Sequence, residues 1–157
     1  MTELRKRKSV RIEGYDYSQP GCYFVTICVK NNHEMLGRIV GANCVRQHLS
    51  EYGIIVENEI KVLSETYNLV EVVKYVVMPN HIHMIISISD GGRTQFAPTV
   101  SRMVKQFKGL VTKRIGFSLW QKSFHDHIIR DESEYRRIWQ YIDENPQHWD
   151  EDEYRNK

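Results

Sequence analysis

The stretch V-V-M-P-N-H-I-H-M-I-I-S-I, from Val76 to Ile88, decides the fold of this chain. Its valines and isoleucines favour β-strands, and Pro79-Asn80 interrupts them with a turn, so the stretch predicts an antiparallel hairpin. Side chains alternate faces along a strand, so His81 and His83 are expected to point to the same side. Two imidazoles in so apolar a strand need polar partners. A divalent metal would satisfy both, although an isolated H-x-H motif also fits ordinary core or surface histidines.

The segments around this hairpin form a mixed pattern of strands and helices. Strands are predicted over three further ranges: 21–30, 67–78 and 124–130. Helical spacing of apolar residues occurs over 43–63, with a weak point at Gly53, and again over 99–115. A last helix follows the final strand. The order strand, helix, strand, strand, helix, strand, helix predicts an α+β fold, a ferredoxin-like antiparallel sheet with helices on one face and an added C-terminal helix.

Length and composition indicate one globular domain. The chain has 157 residues, of which 41% are hydrophobic and 27% charged, and such a chain can bury a core. We expect a single domain over residues 1–157, with residues 1–14 as a basic, flexible arm. No apolar run approaches the roughly 18 residues that span a membrane, so no membrane partner is expected. Three cysteines without a C-x-x-C pair favour reduced thiols and a cytoplasmic location.

The last predicted helix, capped by Ser133 and running toward Asn145, carries a tyrosine away from its apolar stripe. That stripe consists of four side chains: Tyr135, Ile138, Trp139 and Ile142. At about 100° per residue, Tyr141 projects roughly 110° from the centre of the stripe, and Asn145 follows one turn later on the same side. A phenol and an amide on one helix edge can reach into a site together. They also fit a surface tyrosine and an asparagine that ends the helix before Pro146.

Three blocks in a fixed order are more specific than any one motif. They are P-N-H-I-H-M at 79–84, W-Q-K-S-F-H-D-H-I-I-R at 120–130 and Y-I-D-E-N-P at 141–146. With these blocks the sequence resembles the single-tyrosine HUH transposases (IS200-like), and among them most the REP-associated tyrosine transposases, where REP denotes repetitive extragenic palindromes. The first predicted strand also resembles that of the family, so the resemblance covers nearly the whole chain.

The resemblance implies a metal-dependent enzyme that cleaves and rejoins single-stranded DNA. By similarity, His81 and His83 would bind Mg²⁺ or Mn²⁺, and Asn145 would complete the metal site. Tyr141 would be the nucleophile and would form a 5′-phosphotyrosine intermediate. The expected substrate is a DNA hairpin with an adjacent single strand, which implies a nucleoid-associated protein. The wider family includes homodimers that exchange the tyrosine helix, so a homodimer is one arrangement that the resemblance allows.

The chemistry of these side chains agrees with such a role. A tyrosine with an ordinary pKa near 10 is a poor nucleophile at neutral pH, so it needs help from its surroundings. A divalent cation would offset the charge that develops on a phosphodiester. Imidazole also suits zinc, so a metal-dependent hydrolase in which Tyr141 takes no part is an alternative. A non-catalytic domain that binds DNA hairpins is another.

A second H-x-H pair and several basic side chains complete the candidate residues. His125 and His127 could line the same cleft or hold their strand to neighbouring loops. His127 matches a recurrent histidine of the family and is predicted to be catalytic. The side chains predicted to contact DNA phosphates are Arg5, Lys6, Arg7, Lys8, Arg11, Lys105, Lys108 and Lys113. Basic residues of this kind also fit a solvated face, and the formal net charge is only +2.

Overall fold

The computed structural model describes residues 20–41, 45–89 and 99–155 of the chain. Its main elements, in chain order, are β1 (Gly21–Cys28), β2 (Gly37–Val40), β3 (Arg46–Leu49), α1 (Glu51–Thr66), β4 (Val70–Val77), β5 (His81–Ile88), α2 (Val100–Ile115), β6 (His125–Ile129) and α3 (Glu132–Glu144). Strands β4, β5, β1 and β6 form, in that spatial order, a sheet in which every neighbouring pair is antiparallel. With α1 and α2 as the crossovers, this arrangement confirms the predicted ferredoxin-like fold.

The two faces of the sheet are covered by different helices. On one face, Ile82, Met84 and Ile86 of β5 are fully buried in a core cluster that includes residues of α1 and α2. On the other face, a second cluster joins Ile85 to Ile142 of α3. Strand β5 is therefore buried on both sides, and its apolar residues divide between the faces as strand alternation predicts. Helix α3 is the added C-terminal helix, and it covers the face on which the histidines lie.

The prediction of one helix over 43–63 was wrong in its first part. Strands β2 and β3 pair there as a separate two-stranded hairpin. Helix α1 begins only at Glu51, where the Ser50 hydroxyl accepts a hydrogen bond from the Gly53 amide at 3.1 Å. The spacing of Val45 and Leu49 led to the wrong prediction of a helix, because residues four positions apart share a face in a strand as well as in a helix.

Gly53 is required by packing and is not a weak point of α1. A Cβ atom at this position would lie 2.0 Å from the backbone oxygen of Leu36. Only glycine allows the first turn of the helix to approach the segment before β2 so closely. Glycine lowers the stability of a helix, but at this position close backbone packing requires it.

The ends of the other elements follow local signals. The predicted hairpin between β4 and β5 is closed by a hydrogen bond from Met78 N to His81 O at 2.8 Å. Helix α3 begins after Asp131 and not after Ser133, because the Asp131 carboxylate accepts a hydrogen bond from Glu134 N at 2.8 Å. No helix within residues 20–41, 45–89 and 99–155 has the length and hydropathy needed to span a bilayer.

Candidate active site

His81 and His83 lie side by side on the face of β5 that α3 covers. Both side chains are buried, and their ring centroids are 4.6 Å apart. The strand register places Cys28 of β1 opposite His81 and Thr26 opposite His83. The two imidazoles therefore point to the same side of the sheet, in the orientation that the alternation of the strand predicted.

Each imidazole is held through its Nδ1 atom. His81 Nδ1 lies 2.7 Å from Asn80 Oδ1, and His83 Nδ1 lies 2.7 Å from Thr26 Oγ1. The Asn80 amide nitrogen donates to two backbone oxygens, so its Oδ1 atom is the acceptor for the Nδ1–H of His81. The Nε2 atom of His81 consequently carries a lone pair, which is the form in which an imidazole binds a metal.

Three buried polar atoms at this site lack a hydrogen-bond partner within the described part of the chain. They are the Nε2 atoms of His81 and His83 and the Oδ1 atom of Asn145. A buried polar group without a partner costs about 1–3 kcal/mol, so such a group usually serves a purpose beyond packing. Two imidazole nitrogens and an amide oxygen can all donate electron pairs to a divalent cation. The residues present therefore fit a metal ion.

The amide of Asn145 is an essential part of this fit. In residues 20–41, 45–89 and 99–155, no three side chains drawn from His, Cys, Asp and Glu cluster closely enough to hold a metal ion. Asn145 caps the C-terminus of α3 and is buried. It also affects two neighbouring groups, since the nearby Asn145 amide raises the pKa of His81 and lowers the pKa of Tyr141.

Both histidines are neutral in the folded protein. Burial lowers the pKa of His81 to about 3, and the nearby Asn145 amide opposes this only in part. Burial, followed by repulsion from His81, lowers the pKa of His83 well below its ordinary value. Metal ligands must be deprotonated, so neither imidazole has to lose a proton before it binds a cation at neutral pH.

Tyr141 lies against the same histidines. Its ring centroid is 5.3 Å from that of His83 and 6.2 Å from that of Phe24, which in turn stacks on His83 at 5.2 Å. The Tyr141 side chain is 41% exposed, so a large substrate has access to it. Tyrosine and histidines meet within one chain, so exchange of α3 between two chains is not needed to bring them together.

The phenol of Tyr141 is protonated at neutral pH. Burial raises its pKa to about 12, the negative charges of Asp152 and Glu153 add to this effect, and the nearby Asn145 amide opposes it. A phenol with so high a pKa needs a nearby cation or a proton acceptor before it can act as a nucleophile.

The segment after α3 supplies residues that the sequence did not single out. A 3₁₀ segment, Asn145–Glu151, brings Trp149 and Asp152 into buried positions beside the histidines. The ring centroid of Tyr154 lies 4.6 Å and 5.8 Å from the centroids of His81 and His83. In the sequence this region is a run of acidic residues that looks like a solvated tail. It carries no periodic signal that would have revealed the buried side chains.

Comparisons with known proteins agree with this geometry. No protein-family model matches the chain. An uncharacterized protein of Haemophilus influenzae is 31% identical over 171 residues, which cover 96% of this chain and 93% of that protein. A REP-associated tyrosine transposase of Escherichia coli is 28% identical over 131 residues, which cover 83% of this chain and 68% of that protein.

One solved structure is similar to this chain in both fold and sequence. The structure of a REP-associated tyrosine transposase bound to a REP hairpin matches this chain with a TM-score of 0.66 and 25% sequence identity, over 95% of this chain and 74% of the other. This chain is similar in sequence and in fold to the REP-associated tyrosine transposases. The ferredoxin-like sheet and the additional C-terminal helix agree with that similarity.

The second histidine pair is separated from the first within the sheet. His125 and His127 lie on β6, and Thr26 of β1 stands between His83 and His125 in the sheet register. The Nε2 atom of His127 is paired with the carboxylate of Glu134, which ties β6 to the first turn of α3. This contact favours the structural alternative for His127, and its catalytic role stays a prediction.

Among the basic residues predicted to contact DNA, the three that the structure describes do not lie at the tyrosine. Arg5, Lys6, Arg7, Lys8 and Arg11, and the whole predicted arm over residues 1–14, lie outside the described residues. The other three, Lys105, Lys108 and Lys113, are on α2, which packs on the opposite face of the sheet from α3. Lys108 Nζ donates to the backbone oxygens of Gln121 and Ser123 at 2.7 Å and 3.1 Å, so it holds the loop before β6. DNA contact by these lysines stays a prediction.

Asn80→Ala should weaken metal binding although Asn80 is not a proposed ligand. The substitution removes the acceptor that holds His81 Nδ1–H, so the ring loses the orientation that presents Nε2 to the site. Loss of such an outer partner typically costs 10–100-fold in metal affinity, and we expect a loss of roughly that size. Isothermal titration with Mn²⁺ measures it. An affinity equal to that of the unaltered protein would show that His81 does not depend on this contact.

Acid should destabilise the metal-free protein. The His81 imidazole titrates near 6.5 in an unfolded chain but at about 3 in the fold. Between these values the unfolded state binds more protons, so the free energy of unfolding falls as the pH decreases from about 6.5 toward 3. The slope due to His81 approaches about 1.4 kcal/mol per pH unit. Urea unfolding in EDTA across this range measures the slope, which should be smaller in His81→Gln. Equal slopes would contradict the buried neutral imidazole.

Proposed function

We propose that this protein is a metal-dependent endonuclease and transesterase that cleaves and rejoins single-stranded DNA at hairpin-containing sites. The observation that carries the proposal is the position of Tyr141 beside three buried polar atoms, one each of His81, His83 and Asn145, that lack protein partners among the described residues. A purely structural role would not require so many unsatisfied atoms next to an accessible tyrosine. The related transposase bound to a REP hairpin supports DNA hairpins as the substrate class.

In the proposed reaction, the Oη atom of Tyr141 attacks the phosphorus of a phosphodiester. The bond from phosphorus to the 3′ oxygen breaks, the phenol loses its proton, and the leaving oxygen gains one. The products are a 5′-phosphotyrosine and a free 3′-hydroxyl. Because the new bond is again a phosphodiester, a 3′-hydroxyl can later displace the tyrosine and rejoin strands without an external energy source.

His81, His83 and Asn145 would hold Mg²⁺ or Mn²⁺. The bound cation would offset the charge that develops on the phosphodiester oxygens. The protein residues have distinct tasks: Asn80 and Thr26 keep the imidazoles turned so that both Nε2 atoms face the site. Phe24 and His83 flank the Tyr141 ring and set the position from which its hydroxyl reaches the substrate.

A denaturing gel tests the proposal. The protein is incubated with a library of DNA hairpins that carry 5′ single-stranded overhangs, in the presence of Mg²⁺, Mn²⁺ or EDTA. We expect a covalent protein–DNA species with one or both metals and none with EDTA. Cleavage without an adduct would favour a metal-dependent hydrolase. Tight hairpin binding without cleavage would favour a non-catalytic DNA-binding protein, and either result would contradict the transesterase.

We also propose how the remaining parts of the chain contribute. Residues 1–157 form one functional domain, and the basic residues of the arm over 1–14 contact DNA phosphates. One chain is sufficient for the chemistry, because α3 places Tyr141 against the histidines of its own sheet. A protein that acts on chromosomal hairpins would work in the cytoplasm at the nucleoid.

A further inference from the structure

The two arginines of α3 are adjacent in the chain but have different surroundings. Arg136 donates to the Glu132 carboxylate at 2.7 Å, and both side chains are exposed. Arg137 is exposed as well, but it forms no salt bridge within the described part of the chain. The nearby Glu134 carboxylate is bound instead by His127 and by a backbone amide, and Arg137 interacts with it only through its charge. The Arg137 guanidinium can therefore bind an anion outside the chain.

Helical geometry places Arg137, and not Arg136, on the side of α3 that carries Tyr141. Arg137 precedes Tyr141 by four residues, which corresponds to about 40° around the helix and about 6 Å along its axis. Arg136 precedes Tyr141 by five residues and points about 140° away from it. Of the two arginines, only Arg137 can therefore contact a substrate that lies along this side of the helix.

This side of α3 faces strands β1 and β6. The ring of Tyr141 is edge-on to Phe24 of β1 at 6.2 Å, and Glu134 in the first turn of the helix is paired with His127 of β6. Arg137 lies between these two contacts along the helix. A single strand that follows this side of α3 and brings one phosphate to the Tyr141 hydroxyl would bring the next phosphate within reach of Arg137.

The charges around Tyr141 favour a cation at this position. Burial and the negative charges of Asp152 and Glu153 raise the pKa of Tyr141. The same two carboxylates repel a DNA phosphate that approaches the hydroxyl. An arginine on the same side of the helix offsets this repulsion, and its planar guanidinium can bind a phosphate through two parallel hydrogen bonds.

We propose that Arg137 binds the phosphate next to the one that Tyr141 attacks, in the single-stranded part of the DNA. This inference rests on the proposed function and involves no metal ligand. Contacts to phosphates fix the register of a nucleic acid on a protein but carry no sequence information. Arg137 would therefore place the attacked phosphate at the Tyr141 hydroxyl, whatever the neighbouring bases are.

The salt dependence of DNA binding tests the inference without relying on cleavage. The probe is the fluorescent hairpin with a 5′ single-stranded overhang that binds most tightly among the library members, titrated with Tyr141→Phe protein in EDTA at several NaCl concentrations. Each single-strand phosphate contact contributes about 0.7 to the slope of log K against log salt. We expect Arg137→Gln to lower the slope by about this amount and to weaken binding about tenfold at low salt. Arg137→Lys keeps the charge and should retain most of the slope.

Arg136→Gln is the matched control. It removes the same charge from the adjacent residue, whose side chain points to another side of the helix and is paired with Glu132. Its slope should be unchanged, and its Kd should differ by less than about twofold. Equal effects of Arg136→Gln and Arg137→Gln would overturn the inference, because they would indicate only a general loss of positive charge.

Neutral methylphosphonates at single positions of the DNA make the test independent of how a variant folds. With Arg137 present, neutralising the phosphate next to the attacked one should weaken binding as Arg137→Gln does, and both changes together should cost no more than either alone. Additive effects at every position would overturn the inference. If the Tyr141 adduct forms but Arg137→Gln binds as tightly as Arg136→Gln, the inference fails while the proposed function stands. If no library member binds, both fail.

Discussion

We expect Tyr141→Phe to abolish the covalent protein–DNA adduct and to lower strand cleavage by at least about a thousandfold, the scale expected when a nucleophile is removed. The substitution deletes one oxygen and leaves the ring that packs against His83 and Phe24. Folding and metal affinity should therefore change little. Single-turnover cleavage of a hairpin substrate, read on a denaturing gel, measures both the adduct and the rate.

Tyr154→Phe is the matched control for this experiment. It removes the same atom from a second tyrosine whose ring lies 4.6 Å from His81 and 5.8 Å from His83. We expect the adduct to persist in this variant. If Tyr141→Phe cleaves normally, the hydrolase alternative gains support, because the tyrosine then takes no part. If the adduct disappears only in Tyr154→Phe, the nucleophile has been assigned to the wrong tyrosine.

We expect His83→Gln to remove metal-dependent cleavage and to weaken Mn²⁺ binding by roughly a hundredfold or more, because the loss of a ligand exceeds the 10–100-fold effect of an outer partner. EDTA should reproduce the loss of cleavage in the unaltered protein. Added Mn²⁺ should restore activity to the unaltered protein but not to the variant. Titration calorimetry measures binding, and the denaturing gel measures cleavage.

His48→Gln is the control that distinguishes the loss of a metal ligand from the loss of a histidine elsewhere in the chain. His48 lies on a strand as His83 does, but on β3, where its side chain is exposed. Metal affinity and cleavage should be unchanged in this variant. Cleavage that survives His83→Gln, or that proceeds in EDTA, would show that the reaction does not need the proposed metal site. Thermal unfolding followed by circular dichroism establishes that both variants are folded.

Much of the candidate site follows from local periodicity. Strand alternation is enough to place His81 and His83 on one face of β5. Helical geometry is enough to separate Tyr141 from the apolar stripe of α3 and to put Asn145 one turn later. These relations depend on residues close together in the chain, and the structure shows them with one correction: Trp139 of the predicted stripe is exposed and lies outside the apolar cluster that Ile142 joins.

The residues that surround the histidines and the tyrosine could not be predicted from local periodicity. Asp152 and Tyr154 come from an irregular segment whose path depends on how it packs, and no repeat in the sequence indicates that its acidic residues turn inward. The β2–β3 hairpin was missed for a related reason. Its strands are four residues each, and the spacing of Val45 and Leu49 suits a strand and a helix alike.

By itself, the sequence determined the order of the main strands and helices, the common direction of the two imidazoles, and the presence of a tyrosine and an amide on one edge of the last helix. Only the tertiary structure decided that α3 packs on the histidine face of its own sheet and that Asp152 lies beside His81. The physical reason is that the local backbone sets the direction in which successive side chains point. The burial of a carboxylate or an amide depends instead on elements that are distant in sequence.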